Sequence, residues 1–241
     1  MEYITSLFNI NSVFFTYWDY QMSYLEFFGT IFTIWCVWLT AKNRILSWPI
    51  GIIGTILYIF LFYQIQLYSD LFEQIYFLFT SFLGWWLWSH PMTKTDEDIN
   101  AELKISTNTL KENIIWTVVI SAGTLIFWYI AVNLDNWFPQ YFPESASLPF
   151  LDAFTTSMSL VAQWLLVKRK VESWVLWIIV DIIGVWLYYQ KGVKFISAEY
   201  ALFLIIATKG LIDWIKKYKQ YEKKYPKIGD RARNREILPA A

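Results

Sequence analysis

The sequence SWPIGIIGTILYIFLFYQ occupies residues 47–64, and SWVLWIIVDIIGVWLYYQ occupies residues 173–190. Both stretches begin with Ser-Trp, end with Tyr-Gln, and are apolar over a length that crosses the roughly 30 Å hydrocarbon core of a bilayer. They belong to a longer repeat, because a shift of 126 residues aligns 30–88 with 156–214 without a gap, with 17 identities among 59 positions. Trp, Lys, Gln, Glu and Gly all match in register, so shared apolar composition does not explain the repeat.

Seven segments are predicted to span a membrane as helices. The chain is 56% hydrophobic and 17% charged, with a mean hydropathy of +0.35. It is more hydrophobic and less charged than typical soluble domains, as expected for a membrane protein. The predicted spans are 24–41, 45–67, 71–88, 114–134, 150–167, 171–190 and 195–215. We therefore expect an all-α integral membrane protein.

The orientation of the repeat units indicates how the seven spans are organised. Each unit holds three spans, so a copy that followed directly would face the opposite way. Both units nevertheless carry a basic loop after their first span, at residues 42–44 and 168–170, and the positive-inside rule assigns both loops to the cytoplasm. The single span 114–134 between the units restores their common orientation. The prediction is two parallel three-helix repeats joined by one linker helix (3+1+3), with substrate bound between the repeats.

The remaining Lys and Arg residues predict the orientation of the whole chain. Seventeen basic residues fall on one side of the predicted spans, whereas Lys191 and Lys194 fall on the other. The amino terminus is therefore expected outside and the carboxyl terminus in the cytoplasm. The predicted divisions are an interfacial amphipathic lead (1–23), the first repeat (24–89), a cytoplasmic loop (90–112), the linker helix (113–134), an outer loop (135–149), the second repeat (150–215) and a basic cytoplasmic tail (216–241). For the aromatic lead, a helix lying in the interface and a disordered segment are both open.

The sixth predicted span places two indoles and a carboxylate on one helix face. Trp174, Trp177 and Asp181 are spaced i, i+3 and i+7, so they lie within about 60° of one another around the helix. A carboxylate at mid-membrane costs roughly 2.5–3.5 kcal/mol, and such residues face a bundle interior or a wet cavity. Indole faces attract cations. The pattern predicts a binding site for a flat ring, with a cationic ring well suited; packing Trp residues and an interhelical hydrogen bond are the alternative.

The matching face of the first repeat carries smaller residues. Trp48 corresponds to Trp174, whereas Gly51 and Thr55 stand where Trp177 and Asp181 stand in the second repeat. We therefore expect a lopsided pocket, with space on one wall and polar chemistry on the other.

Further polar residues within the spans complete the predicted site. Gln74 and Gln163 either contact an amide or sugar hydroxyl of a substrate or bond a neighbouring helix. Tyr200 is also a candidate. The candidate substrate-binding residues are therefore Trp48, Thr55, Gln74, Gln163, Trp174, Trp177, Asp181 and Tyr200. Glu73 and Glu199 lie in the first turns of predicted spans, where the positive helix end favours an acid, so a structural role is predicted for both.

The composition argues against several classes of protein. One cysteine, Cys36, forms no intrachain disulfide or thiolate cluster, and one histidine, His90, leaves too little for a catalytic or metal centre. The sequence has no phosphate-binding loop with a Lys-Ser/Thr motif, so it contains no ATP-driven pump. We predict no enzymatic activity, no cofactor, no metal and no nucleic-acid partner.

The sequence Ser173-Trp174-x-x-Trp177-x-x-x-Asp181 resembles the PnuC family of nicotinamide riboside transporters. Supporting stretches are Ser47-Trp48-Pro49-x-Gly51 and Leu67-Tyr68-x-Asp70 in the first repeat, and Ser159-Leu-Val-Ala-Gln163 before Lys168-Arg-Lys170 in the second. The resemblance covers nearly all of the seven predicted spans.

The resemblance implies several properties. They are a fold similar to the SWEET sugar carriers, a homotrimer, and facilitated diffusion of nicotinamide riboside across the bacterial inner membrane. Trapping of the substrate by a cytoplasmic nucleoside kinase is also implied. The substrate contacts implied are Trp174, Trp177 and Asp181, and less directly Trp48, Gln74 and Gln163.

Three alternatives stay open beside a nicotinamide riboside carrier that works by alternating access. Related family members carry thiamine or riboflavin, and thiamine is also a cationic ring. A seven-helix receptor has the right number of spans but lacks a parallel three-span duplication. An intramembrane enzyme would need clustered acids, bases or metal ligands.

Overall fold

The computed structural model describes residues 8–17, 20–65, 68–90, 104–141, 148–190 and 194–224 of the chain. Within them the chain forms a β-hairpin and seven helices. The elements are β1 (Val13–Tyr17), β2 (Tyr20–Ser23), α1 (Tyr24–Ala41), α2 (Ser47–Gln64), α3 (Tyr68–Ser89), α4 (Leu110–Trp137), α5 (Pro149–Val167), α6 (Glu172–Gln190) and α7 (Lys194–Lys224). All seven predicted spans coincide with helices.

Six of the described helices are long and apolar enough to cross a membrane: α1, α2, α4, α5, α6 and the part of α7 that runs from Phe195 to Lys223. Helix α3 has 22 residues but is not among the six. Its first two turns carry the polar residues Asp70, Glu73 and Gln74. A membrane-spanning role for α3 therefore stays a prediction.

The amino-terminal lead differs from both expectations. Residues 13–17 and 20–23 pair as antiparallel strands, with Thr16 opposite Gln21 and Tyr17 opposite Tyr20. The predicted interfacial helix is therefore wrong for this part of the lead. The physical reason is the run of β-branched and aromatic residues from Val13 to Tyr17, which favours an extended strand. Residues 1–7, 18 and 19 of the predicted lead lie outside the described residues.

Several helices extend beyond their predicted ends. Helix α4 takes in residues 110–112 from the predicted cytoplasmic loop and 135–137 from the predicted outer loop. Helix α7 continues nine residues past the predicted end at 215, so the first part of the basic tail is helical. Residues 91–103, 142–147 and 225–241 of the predicted loops and tail lie outside the described part of the chain.

Local sequence signals fix where these helices begin. The Thr109 side chain accepts a hydrogen bond from the Glu112 amide while Glu112 accepts one from the Thr109 amide, which is a capping box at the start of α4. Ser23 accepts a hydrogen bond from the Glu26 amide at the start of α1. Pro149 occupies the first turn of α5, where its missing N–H costs no helical hydrogen bond.

The two basic loops have the same backbone conformation. Asn43 (φ 59°) and Arg169 (φ 51°), which are equivalent in the repeat, both lie in the left-handed region just after a helix ends. The amides of Arg44 and Lys170 donate to equivalent carbonyls, those of Leu39 and Leu165. The repeat detected in the sequence is therefore also a repeat in local structure.

Six helices pack in a closed ring, in the order α1, α2, α3, α5, α6, α7 and back to α1. Helix α4 lies outside this ring and packs against α5. The β-hairpin lies near the ends of α2 and α7, and we call that end of the ring the hairpin end. The opposite end, which carries residues 42–46 and 168–171, is the basic-loop end.

Four tryptophans form the core of the basic-loop end. Trp48 packs edge-to-face on Trp88 (centroids 5.1 Å apart), and its repeat equivalent Trp174 packs in the same way on Trp214 (5.5 Å). The indole of Trp88 donates to the Val167 carbonyl (3.0 Å), across the contact between α3 and α5. The indole of Trp214 donates to a carbonyl of α1, across the contact between α7 and α1. The two repeats are thus joined twice at this end.

Candidate functional site

The ring of helices encloses a cavity of about 210 Å³. Each of the six ring helices contributes to its lining, and α4 contributes no described residue. All eight residues predicted as substrate-binding line this cavity: Trp48, Thr55, Gln74, Gln163, Trp174, Trp177, Asp181 and Tyr200. The structure therefore brings the predicted residues together, while their role in binding stays a prediction.

Asp181 lies halfway along α6 and is 3% exposed. Its carboxylate accepts no hydrogen bond from the described residues and forms no ion pair with them. A buried carboxylate without a partner is costly, because its desolvation is not offset by a neighbouring charge or donor. Asp181 lines the cavity, so a ligand that carries a positive charge or hydroxyl donors would remove this cost.

Trp48 and Trp174 occupy equivalent positions on opposite walls of the cavity. Each ring lies against a glycine of the next helix: a Cβ atom at Gly84 would collide with the Trp48 indole, and one at Gly210 would make a tight contact with the Trp174 indole. Both indole N–H groups are buried without an acceptor among the described residues. The two tryptophans that line the cavity thus hold buried donors beside the unpaired Asp181 acceptor.

The other predicted residues divide between the cavity and neighbouring helices. Trp177 packs edge-to-face on Phe77 of α3, with centroids 6.0 Å apart. The Gln163 side chain donates to the Thr80 hydroxyl (3.3 Å), so it already bonds a neighbouring helix. Tyr200 stacks on Tyr188 at 5.2 Å.

A polar cluster at the hairpin end was missed as part of the site. Glu199 lines the cavity and accepts a hydrogen bond from the Tyr58 hydroxyl (2.8 Å), which in turn lies 2.8 Å from the Thr30 hydroxyl. These contacts join α7 to α1 and α2, because Glu199 belongs to the second repeat and the other two residues to the first. The predicted helix-end role for Glu199 is therefore incomplete.

The equivalent residues form a similar cluster on the other side of the ring. Glu73, the repeat equivalent of Glu199, interacts with the hydroxyl of Thr156, which is the equivalent of Thr30. Nearby, the Tyr188 hydroxyl donates to Asp70 (3.1 Å) and joins α6 to α3. The repeat in the sequence indicates that the two clusters are equivalent, since both Glu and Thr match at the 126-residue offset.

The cavity has a strongly acidic character. Its lining includes five carboxylates, those of Glu26, Asp70, Glu73, Asp181 and Glu199. None of the described lining residues is Lys, Arg or His. Opposite charges attract more strongly in a desolvated site than in water, so this cavity favours cationic over anionic ligands.

The β-hairpin contacts the cavity at its hairpin end. Tyr20 stacks on Phe195 at 5.8 Å and donates a hydrogen bond to Glu26, and both partners line the cavity. Burial, and then this hydrogen bond, raise the pKa of Tyr20 well above its ordinary value. The phenol therefore stays protonated and remains a donor to Glu26.

The family model described as "Nicotinamide mononucleotide transporter" matches residues 23–216 of the chain. The chain belongs to this transporter family. It is 30% identical to the nicotinamide riboside transporter PnuC of Escherichia coli, over 81% of this chain and 87% of that protein. It is 23% identical to the riboflavin/roseoflavin transporter RibM of Streptomyces davaonensis, over 85% of this chain and 91% of RibM.

The fold also matches a solved member of the family. A crystal structure of the vitamin B3 transporter PnuC superposes with a TM-score of 0.64 and 24% identity, over 91% of this chain and 87% of that one. Family membership confirms the resemblance found in the sequence and the prediction of a multi-pass membrane transporter rather than an enzyme. It also argues against the seven-helix receptor.

Proposed function

We propose that the chain transports nicotinamide riboside by facilitated diffusion. The observation that carries this proposal is the buried, unpartnered Asp181 in a cavity that also contains Trp174 and Trp177. Nicotinamide riboside combines a flat cationic ring with sugar hydroxyls. The indoles suit the ring, and Asp181 suits either the positive charge or the hydroxyl groups.

Charge supports the riboside over the mononucleotide that the family description names. A phosphate group would face five carboxylates, with no basic residue among the described lining to receive it. Riboflavin is uncharged and gains less from the acidic lining than a cationic substrate, which disfavours it although RibM is a relative. Thiamine is cationic and remains the alternative within the family.

The arrangement of helices supports a 3+1+3 organisation similar to the SWEET carriers. In this proposal α1–α3 and α5–α7 are parallel repeats, α3 completes the seven spans, and α4 is the linker. The two repeats meet along two equivalent seams, α1 with α7 and α3 with α5. Each seam has a Glu–Thr contact at the hairpin end and a Trp–carbonyl hydrogen bond at the basic-loop end. Alternating access would break one pair of contacts while it keeps the other.

The proposed setting is the bacterial inner membrane, with the amino terminus outside and the basic-loop end in the cytoplasm. The distribution of Lys and Arg supports this orientation. A homotrimer and trapping of the substrate by a cytoplasmic nucleoside kinase are implied by the resemblance. The many exposed apolar side chains of α4 would face lipid or a second copy of the chain.

Flux measurements in proteoliposomes that contain only this protein test the transport proposal. We expect radiolabelled nicotinamide riboside to equilibrate across the membrane without an ion gradient, and excess nicotinamide mononucleotide or riboflavin to compete weakly. Uptake of thiamine in preference to the riboside would identify thiamine as the substrate instead. Absence of flux for all four compounds would contradict the carrier function itself.

A further inference from the structure

A cleft at the basic-loop end is separate from the transport cavity. It is lined by Trp38, Leu39, Lys42, Arg44 and Lys217, from the end of α1, the loop after it and the extension of α7. The cleft thus carries three basic side chains on the outside of the helix ring. The transport cavity shares none of these five residues.

The repeat provides an internal comparison for this cleft. Arg44 corresponds to Lys170, and the loops that carry them share the left-handed residue and the hydrogen bonds that follow it. The same backbone therefore presents a basic side chain at equivalent places in the two repeats. The two repeats differ in which residues contact this basic side chain.

In the second repeat, the chain itself supplies the partner. The Lys170 ammonium group lies 3.8 Å from the Glu112 carboxylate and donates to the Thr107 carbonyl (3.1 Å). Ser106 hydrogen-bonds along the same loop, since its amide donates to Arg169 and its carbonyl accepts from Val171. The segment before α4 therefore covers this basic loop and neutralises Lys170.

In the first repeat, no described segment takes the equivalent place. Arg44 is exposed and forms no ion pair with any described residue. Lys42 lies 3.5 Å from Asp213, while Lys217 donates to the Lys42 carbonyl. Arg44 therefore keeps a positive charge in the cleft, at a position where the other repeat binds a carboxylate.

The surroundings of the cleft indicate which anion would occupy it. Trp38 is 46% exposed, and the apolar residues Ile45 and Leu46 beside Arg44 are 41% and 50% exposed. Trp at the end of a spanning helix is typical of the headgroup level of a membrane. Basic pockets between spanning helices on the cytoplasmic side bind anionic lipid headgroups.

We propose that this cleft binds the headgroup phosphate of an anionic phospholipid of the inner leaflet. Arg44 and Lys217 would contact the phosphate, and Trp38 would lie against the acyl chains. The lipid would take the place that Glu112 holds in the second repeat. The proposal rests on the orientation proposed above, but binding in detergent does not depend on that orientation or on transport.

Native mass spectrometry of the purified full chain, with phosphatidylglycerol or phosphatidylcholine added in detergent, tests this proposal. We expect phosphatidylglycerol to bind in preference, and Arg44→Gln to weaken its binding about fivefold. Lys111→Gln, which removes an exposed lysine from the same end outside the cleft, is the matched control and should change binding by less than about twofold. Equal melting temperatures of the lipid-free proteins would show that both variants are folded.

Three results would overturn the proposal. Equal retention of phosphatidylglycerol by Arg44→Gln and the wild type would show that the cleft is not the site. Equal binding of phosphatidylcholine would show that the headgroup charge is not recognised. Equal competition by free inorganic phosphate at matched concentration would assign the cleft to a soluble anion instead of a lipid.

Discussion

At the residue scale, we propose Asp181 as the main determinant of which ligand the cavity accepts, because it is deeply buried and has no partner among the described residues. Its repeat equivalent is Thr55, so an acid on α6 stands where α2 has a hydroxyl. The site is therefore asymmetric although the helices around it form a repeat. An asymmetric nucleoside can bind such a site in one orientation.

We predict that Asp181→Asn weakens binding of nicotinamide riboside at least about tenfold, because it removes a charge–charge interaction in a desolvated site. Isothermal titration calorimetry of the purified protein measures the change. Asp135→Asn, which removes a carboxylate from α4 outside the ring, is the control and should bind like the wild type. Unchanged affinity in Asp181→Asn would contradict the assignment of this residue to the substrate site.

The glycines beneath Trp48 and Trp174 allow a second prediction. A Cβ atom at Gly84 would lie 2.4 Å from the Trp48 ring, whereas one at Gly210 would lie 3.0 Å from the Trp174 ring. Overpacking costs about 1–3 kcal/mol, but alanine gains about 1 kcal/mol of helix propensity over glycine. We expect Gly84→Ala to lower the melting temperature clearly and Gly210→Ala to change it little. A larger loss in Gly210→Ala would contradict this packing.

The positions of individual cavity-lining residues were largely predictable, because the spacing of Trp174, Trp177 and Asp181 on a helix fixes a shared face; their role in binding stays a prediction. Their enclosure in one cavity with Gln74 and Gln163 could not be derived from spacing alone, since it depends on which helices become neighbours. The outer cluster of Tyr58 and Glu199 was missed for the same reason. Its members are 141 positions apart and meet only across a helix contact.

The docking of the hairpin is the clearest feature at the scale of single elements, because one side chain of α2 bonds the segment just before β1. Gln64 accepts a hydrogen bond from the Ile10 amide (2.9 Å) and donates to the Phe8 carbonyl (2.8 Å). Its repeat equivalent, Gln190, ends α6, and the described residues place no corresponding strand beside it. The same residue thus has a docking role in one repeat only.

We predict that Gln64→Ala loosens the hairpin and leaves the helix ring intact. Two hydrogen bonds of about 1 kcal/mol each are lost, so amide exchange in the hairpin should accelerate roughly ten- to thirtyfold. Hydrogen–deuterium exchange with mass spectrometry reports the rate by segment. Gln190→Ala is the matched control; equal acceleration in both variants, or none in Gln64→Ala, would show that Gln64 does not hold the hairpin.

The positions of the helices were well predicted from the lengths of the hydrophobic segments. The two copies of the repeat gave equivalent positions. The hairpin was not predicted, because an aromatic lead is also compatible with a helix lying in the interface. The β-branched and aromatic run Val13–Tyr17 favours the strand. The docking of residues 8–10 on α2, a contact remote in sequence, adds to this preference. The ends of α4 and α7 were also missed, because polar helical turns outside the hydrophobic segments cannot be predicted from hydrophobicity.

For the whole molecule, the two seams between the repeats are the contacts that the proposed alternating-access cycle would change. At the basic-loop end they depend on the indole hydrogen bonds of Trp88 and Trp214. The native Cys36 lines the cavity between them and offers a single reporter of its accessibility. No other cysteine occurs in the sequence, so a thiol reagent that labels the protein reports on Cys36.

We predict that the double variant Trp88→Phe and Trp214→Phe increases Cys36 labelling from the basic-loop side about tenfold, because two seam hydrogen bonds are removed. The measurement uses a membrane-impermeant thiol reagent on vesicles of defined sidedness. Trp186→Phe, at an exposed position of α6, should label like the wild type. Faster labelling from the hairpin side instead would mean that these indoles do not close the basic-loop end.

The order of helices in the ring could not have been derived from the sequence, although the sequence repeat and the presence of one helix between its two copies could. Hydrophobicity shows that a helix is embedded but not which helix is its neighbour. The equivalence of the α1–α7 and α3–α5 contacts becomes visible only once Trp88 and Trp214 are seen to reach the opposite repeat. Long-range pairing is the information that a single sequence lacks.

Helix α4 has a distinct position because it stands outside the ring and contributes no described residue to the cavity. In the proposed 3+1+3 arrangement, a copied three-span unit would insert in the opposite orientation, and one added crossing restores the common orientation. The helix that makes this correction takes no place beside the substrate. Under this proposal α4 faces lipid or neighbouring chains, whereas substrate selectivity depends on the six ring helices.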